Sequence, residues 1–142
     1  MATPLLHVTL CFLGAQPLER IEALSEVVTA RGAPSEELAL GEPLWLPPRR
    51  PGVLAIGISD GSGGLARLQA SVSDALVELG AYEAEARPFL PHVTVARVRR
   101  GRRVHPEPLP APAPMSFTAP ALTLYRSFTA PGGPRYEALA RA

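Results

Sequence analysis

His7-Val8-Thr9-Leu10 and His92-Val93-Thr94-Val95 are two copies of one phrase, far apart in the chain, and they use two of its three histidines. Polar and apolar residues alternate in each, which is the pattern of a β-strand with one buried face. Successive strand side chains point to opposite faces. His7 and Thr9 therefore share one face while Val8 and Leu10 take the other, and His92 and Thr94 repeat the arrangement. Laid side by side, the strands would bring two imidazoles and two hydroxyls to one cleft. Such a set is an acid–base pair suited to a phosphate.

The rest of the sequence bounds what can surround that pair. At 142 residues, 46% of them apolar, residues 1–142 read as a single domain with a core of its own. The net charge of +1 offers no global attraction to nucleic acid, so any basic surface has to be local. Cys11 is the single cysteine and cannot form an internal disulfide, which favours a cytoplasmic location. No apolar run is long enough for a membrane helix. Leu5–Ala15 lacks a basic leader and carries His7 and Thr9, so it does not read as a secretion signal. Lysine is absent, which excludes covalent lysyl-nucleotide chemistry, a Schiff base and a Walker-type phosphate lysine. Asparagine is absent too; with seventeen prolines, this composition points to a GC-rich genome.

Alternation and helical periodicity predict a strand over about Leu5–Phe12 and a helix over about Leu18–Arg31 with a Leu18, Ile21, Leu24, Val28 stripe. Extended chain follows over Glu37–Leu46, then a buried strand over Val53–Ser59. A second helix is predicted over about Leu65–Leu79, stopped by Gly80. After the second His-Thr strand comes a basic, proline-rich loop, Arg99–Pro114. Strands over Ser116–Ser127 and Arg135–Ala142 flank a Pro131-Gly132-Gly133-Pro134 turn. The order is close to a repeated unit, which predicts an α+β domain of two lobes with one His-Thr phrase in each.

Two such phrases, the first continuing into Phe12-Leu13-Gly14 and the second set in Arg87-Pro88-Phe89-Leu90-Pro91-His92-Val93-Thr94-Val95-Ala96-Arg97, resemble the two-histidine (2H) phosphoesterases. Within them the chain is most similar to the RNA 2′,3′-cyclic phosphodiesterases, also called 2′-5′ RNA ligase-like proteins. Arg49-Arg50-Pro51 and Gly133-Pro134-Arg135-Tyr136-Glu137 fit the same family. The resemblance implies a pseudo-symmetric fold, antiparallel sheets around a central cleft with two helices outside. It also implies hydrolysis of RNA 2′,3′-cyclic phosphate ends to 2′-phosphate, without metal or other cofactor, and weak reverse 2′-5′ ligation. The family's usual strand and helix ahead of the first motif are missing. Their absence predicts an exposed sheet edge open to self-association.

The chemistry can be argued from the residues alone. Opening a cyclic phosphate requires one group to take a proton from water and another to protonate the departing ribose oxygen. His7 and His92 suit both tasks near neutral pH, and the residues themselves leave the two roles interchangeable. The resemblance makes His7 the acid and His92 the base. Thr9 and Thr94 would donate to non-bridging oxygens. Arg97 offers a planar cationic fork, but its odd offset from His92 requires the strand to end or bulge near Ala96. Phe12 would be core by alternation, whereas the resemblance allows it to stack on the base. Arg99, Arg100, Arg102 and Arg103 are expected to form a phosphate-attracting rim, His105 is bystander surface, and Cys11 is packed and inert.

Rival readings are weaker. Gly57-Ile58-Ser59-Asp60-Gly61 matches a nucleophile elbow, but the predicted helix begins well after the serine. Metal-site spacings such as H-E-x-x-H or paired cysteines are absent. The serious alternative is a non-catalytic RNA- or nucleotide-binding module that kept the cleft, against which the pair of titratable histidines argues.

Overall fold

The structure, a computed structural model, describes residues 6–142. Its elements are a 3-10 turn (Leu18–Arg20), α1 (Ile21–Thr29), β1 (Glu37–Leu46), β2 (Val53–Ser59), α2 (Gly64–Glu78), β3 (His92–Arg97), β4 (Ser116–Thr118), β5 (Thr123–Ala130) and β6 (Gly133–Arg141). Strands β3-β2-β1-β4 form one antiparallel sheet, and β5-β6 form a separate hairpin. The fold is the expected α+β arrangement of antiparallel sheets and two main helices.

Two buried clusters hold these layers together. Leu24, Val27 and Val28 of α1 and Val72 and Leu76 of α2 bury together with Leu122, just ahead of β5. Leu65, at the start of α2, instead joins Leu38 of β1 and Ile58 of β2. Helix α2 thus ties the four-stranded sheet to the hairpin side. Its far end is closed by Gly80 at φ 63°, a left-handed conformation that glycine adopts without Cβ strain. The Gly80 N–H donates to the Val77 carbonyl and the Ala81 N–H to that of Leu76, a Schellman closure. Ala81 is buried beside Leu76, so this closure fixes the segment that leads to β3.

Three elements differ from expectation. The first His-Thr phrase is not a continuous strand. Leu5 lies outside the described residues, and the described part of the phrase shows an isolated antiparallel bridge from Val8 to Val93 in place of a strand. The chain bends at Leu10 because Leu10, Cys11 and Leu13 turn toward the helical core. The expected Ser116–Ser127 strand is divided between two sheets, with Ala119-Pro120-Ala121-Leu122 between the parts. Proline lacks the N–H that a ladder needs. The expected first helix opens as a 3-10 turn and ends at Thr29.

Among the described residues, Leu38 is the largest side chain that is essentially fully buried. Leu38→Ala should lower unfolding stability by about 2–5 kcal/mol, the usual cost of a leucine-sized core deletion. Urea titration followed by circular dichroism measures the loss.

Candidate active site

The Val8–Val93 bridge sets the geometry of the site. In an antiparallel pair it puts His7 across from Thr94 and Thr9 across from His92. Val8 and Val93 both pack against the Leu38–Ile58–Leu65 cluster. Their neighbours on either side, the two histidines and two threonines, therefore belong to the opposite face. His7 and His92 become diagonal neighbours on that face, where Cα spacings are about 7–8 Å. His7, His92 and Thr94 are half-buried and Thr9 is exposed.

Each imidazole has identifiable support. The His92 Nδ1 lies 2.7 Å from the Leu90 carbonyl oxygen. A carbonyl only accepts, so Nδ1 carries the proton and donates it, leaving Nε2 with the lone pair in the neutral ring. The His7 ring meets Tyr136 edge-on at 5.1 Å between centroids and Tyr125 at 6.3 Å. Those tyrosines contact each other at 5.8 Å. Tyr125 pairs with Ala138 and Ser127 with Tyr136, so both rings stand on one face of the hairpin. The hairpin thereby walls the site on the His7 side. Sequence reasoning missed both tyrosines. Alternation about the Pro131-Gly132 turn could have put them on one face, but nothing local links that face to His7.

Arg97 reaches the histidine face through a bulge. Pairing steps from Ala55–Thr94 to Leu54–Ala96, so β3 carries one extra residue, Val95, at that point. His92, Thr94 and Arg97 consequently pair with Gly57, Ala55 and Val53, alternate residues of β2 that share one face. The irregularity that Arg97 required is present. Arg97 also borders a second groove, beside Trp45 and Arg99, and so stands where two surfaces meet.

The other candidates lie elsewhere. Phe12 is 73% exposed rather than core, beside a shallow groove it shares with Leu13, Tyr82, Glu83 and Glu85. Cys11 packs against the helical core, and burial pushes its thiol up in pKa against hydrogen bonds to Tyr82 and Gln69. A raised pKa keeps the thiol protonated and inert at neutral pH. Ser59 ends β2, and α2 starts only at Gly64. The Asp60 carboxylate accepts from the Ala66 N–H of that helix at 2.9 Å. This is helix capping rather than a nucleophile elbow. His105 is exposed in the proline-rich loop. Among the described residues no group of three His, Cys, Asp or Glu side chains gathers as a metal site, and no helix is long and apolar enough to cross a membrane.

A profile of the 2′-5′ RNA ligase superfamily matches residues 2–128. The chain belongs to that superfamily. It is 33% identical over 141 residues to an RNA 2′,3′-cyclic phosphodiesterase of Geobacillus stearothermophilus, covering 94% of this chain and 44% of that protein. It is 31% identical over 140 residues to the Escherichia coli K12 RNA 2′,3′-cyclic phosphodiesterase, covering 96% and 74%. The chain thus spans less than half the length of the first of these relatives and about three quarters of the second. The crystal structure of E. coli LigT complexed with 3′-AMP superposes with a TM-score of 0.78 at 31% identity, over 99% of this chain and 78% of that one. The superfamily profile spans both His-Thr phrases.

The His92 contact predicts a tautomer. In neutral His92, ¹⁵N NMR should show Nδ1 protonated and Nε2 bare. The opposite tautomer would mean that the Leu90 contact does not form.

Proposed function

We propose that the chain hydrolyses 2′,3′-cyclic phosphate ends of RNA to 2′-phosphates, using His7 and His92 as an acid–base pair. One observation carries the reading: a single bridge turns both His-Thr phrases toward one face, with Val8 and Val93 packed against the core on the other. Support comes from the superfamily match and from relatives named RNA 2′,3′-cyclic phosphodiesterase. LigT with bound 3′-AMP is in keeping with a ribonucleotide end as the ligand of this site.

In this mechanism His92 is the base, since the bond from Nδ1 to the Leu90 carbonyl leaves Nε2 free to accept. Nε2 takes a proton from water as the water oxygen bonds to phosphorus. His7, held against Tyr125 and Tyr136, gives its proton to the 3′-oxygen as the P–O3′ bond breaks. The phosphate stays on the 2′-oxygen. Both rings then exchange protons with solvent and return to their starting states. Thr9 and Thr94 hydroxyls donate to the non-bridging oxygens, and Arg97 adds a fixed cation as charge grows there. Both proton transfers are supplied by imidazole, so the step needs no metal. Phe12, exposed three residues beyond Thr9, is the ring we assign to the nucleobase. A single cysteine, which has no disulfide partner within the chain, fits a reducing cytoplasm.

With a dinucleotide or mononucleotide 2′,3′-cyclic phosphate, His7→Ala and His92→Ala should each lower kcat by about 10²–10⁴-fold or more. Activity should survive EDTA and follow a bell-shaped pH profile, because one ring must be neutral while the other is protonated. Unchanged binding of a product 2′-nucleotide would show that each variant retains the cleft. Retained turnover in either histidine variant would overturn the mechanism. No turnover by the intact chain would leave the binding-module reading.

Replacing Arg97 by Ala should lower kcat/KM even for the mononucleotide, since its proposed partner is the reacting phosphate. Mononucleotide kinetics equal to those of the unaltered chain would remove Arg97 from the site.

A further inference from the structure

We infer that the sheet face opposite the histidines carries a second RNA-contacting surface, a groove floored by Trp45, Leu54 and Ala96 and rimmed by arginines, which holds single-stranded RNA on the 5′ side of the reacting end. This inference rests on the hydrolytic reading for its ligand and goes beyond it in position. Trp45, Leu54 and Ala96 are successive cross-strand partners on β1, β2 and β3, so they share a face. It is the face of Ile56 and Val93, not that of His92 and Thr94. The groove is therefore separate from the histidine cleft, although both belong to one sheet.

Its chemistry is that of a nucleic-acid surface. Arg99, Arg102 and Arg103 line it together with Val104. Arg97–Arg103 holds five of the fourteen basic residues of the chain and no acidic one. Arg49 and Arg50 lie at the same end of the sheet, in the turn between β1 and β2. The Val98 N–H donates to the Gly52 carbonyl at 2.9 Å and stitches that turn to the basic loop. Half of the arginines of a chain with net charge +1 thus gather at one end of one sheet. The indole Nε1 of Trp45 donates to the Glu107 carbonyl at 2.9 Å, which pins the proline-rich loop beside the groove and fixes the ring. An ordered indole among guanidinium groups matches single-stranded RNA, whose bases stack and whose phosphates pair with arginine.

Arg97 supplies the continuity. It pairs on the histidine face at the end of β3 and also borders the groove. The β2 partners of His92 and Arg97, Gly57 and Val53, are four residues apart, so at 3.3 Å per residue the span is roughly 13 Å. A strand whose cyclic end lies between the histidines can therefore follow β3 to its end and pass into the groove.

The test compares a mononucleotide 2′,3′-cyclic phosphate with oligoribonucleotides of about four, eight and sixteen nucleotides that carry the same end. In the variant with Arg99→Ala, Arg100→Ala, Arg102→Ala and Arg103→Ala, mononucleotide kcat/KM should stay within about twofold. KM for the longer oligonucleotides should rise about tenfold or more, and the salt dependence of binding should flatten by about 0.7 for each phosphate no longer neutralised. Trp45→Leu should raise oligonucleotide KM about fivefold or more without changing that slope, since stacking releases no counterions. Equal losses on mononucleotide and oligonucleotide, or no oligonucleotide effect in the arginine variant, would overturn the proposal. Fluorescence anisotropy with labelled single-stranded RNA ending in a 3′-hydroxyl reads the groove without turnover. If the intact chain hydrolyses nothing yet binds this RNA through the four arginines, the catalytic reading fails and the groove stands. Binding to phosphatidylserine vesicles in place of RNA would assign the face to lipid and overturn the proposal.

Discussion

Two valines meeting across a single bridge organise the candidate site. Val8 and Val93, both partly buried, pack against Leu38, Ile58 and Leu65, and each CH₂ taken from water there is worth about 0.8 kcal/mol. A slip of one residue in either phrase would move the valine out and drive a histidine and a threonine into the apolar cluster. Burial without hydrogen-bond partners would then cost several kcal/mol more. The register of the site is thus set by the core beneath it, although the first phrase meets β3 through an isolated bridge rather than a ladder.

That dependence explains what the sequence made legible. Alternation identified β1 and β2 at their observed bounds and assigned the correct face to each histidine and threonine, because strand periodicity is local and strict. It overextended the first phrase, where Leu10 and Cys11 answer to the helical core and bend the chain away from the sheet. It also merged β4 with β5, although Pro120 lies between them. Tyr125 and Tyr136 were invisible as site residues because their role depends on how the hairpin docks against His7, and no local pattern encodes that. Phe12 shows the same limit in reverse, since alternation buried it while the bend after Leu10 exposed it.

The bulge at Thr94–Val95 has a double effect. It returns Arg97 to the face of His92 and Thr94, as a regular strand would not, and it does so at the last residue of β3. A bulge also increases local twist. The strand end therefore swings as the chain leaves for the arginine-rich loop, and Arg97 becomes the point at which the two faces of the sheet are joined.

The charge distribution follows the same division. A strongly basic chain would attract polyanions everywhere and would hold RNA without orienting it. Here the net charge is +1, and the excess is confined to the end of the sheet where Arg49, Arg50 and Arg97–Arg103 gather. A local field of this kind acts over about one Debye length, roughly 8–10 Å at physiological salt. That range is shorter than the path along the chain from Arg99, beyond the end of β3, back to His92. The arginines beyond Arg97 can therefore capture and align a strand without saturating the histidine face, where Arg97 and the acid–base pair have to stay open to a single phosphate and to water.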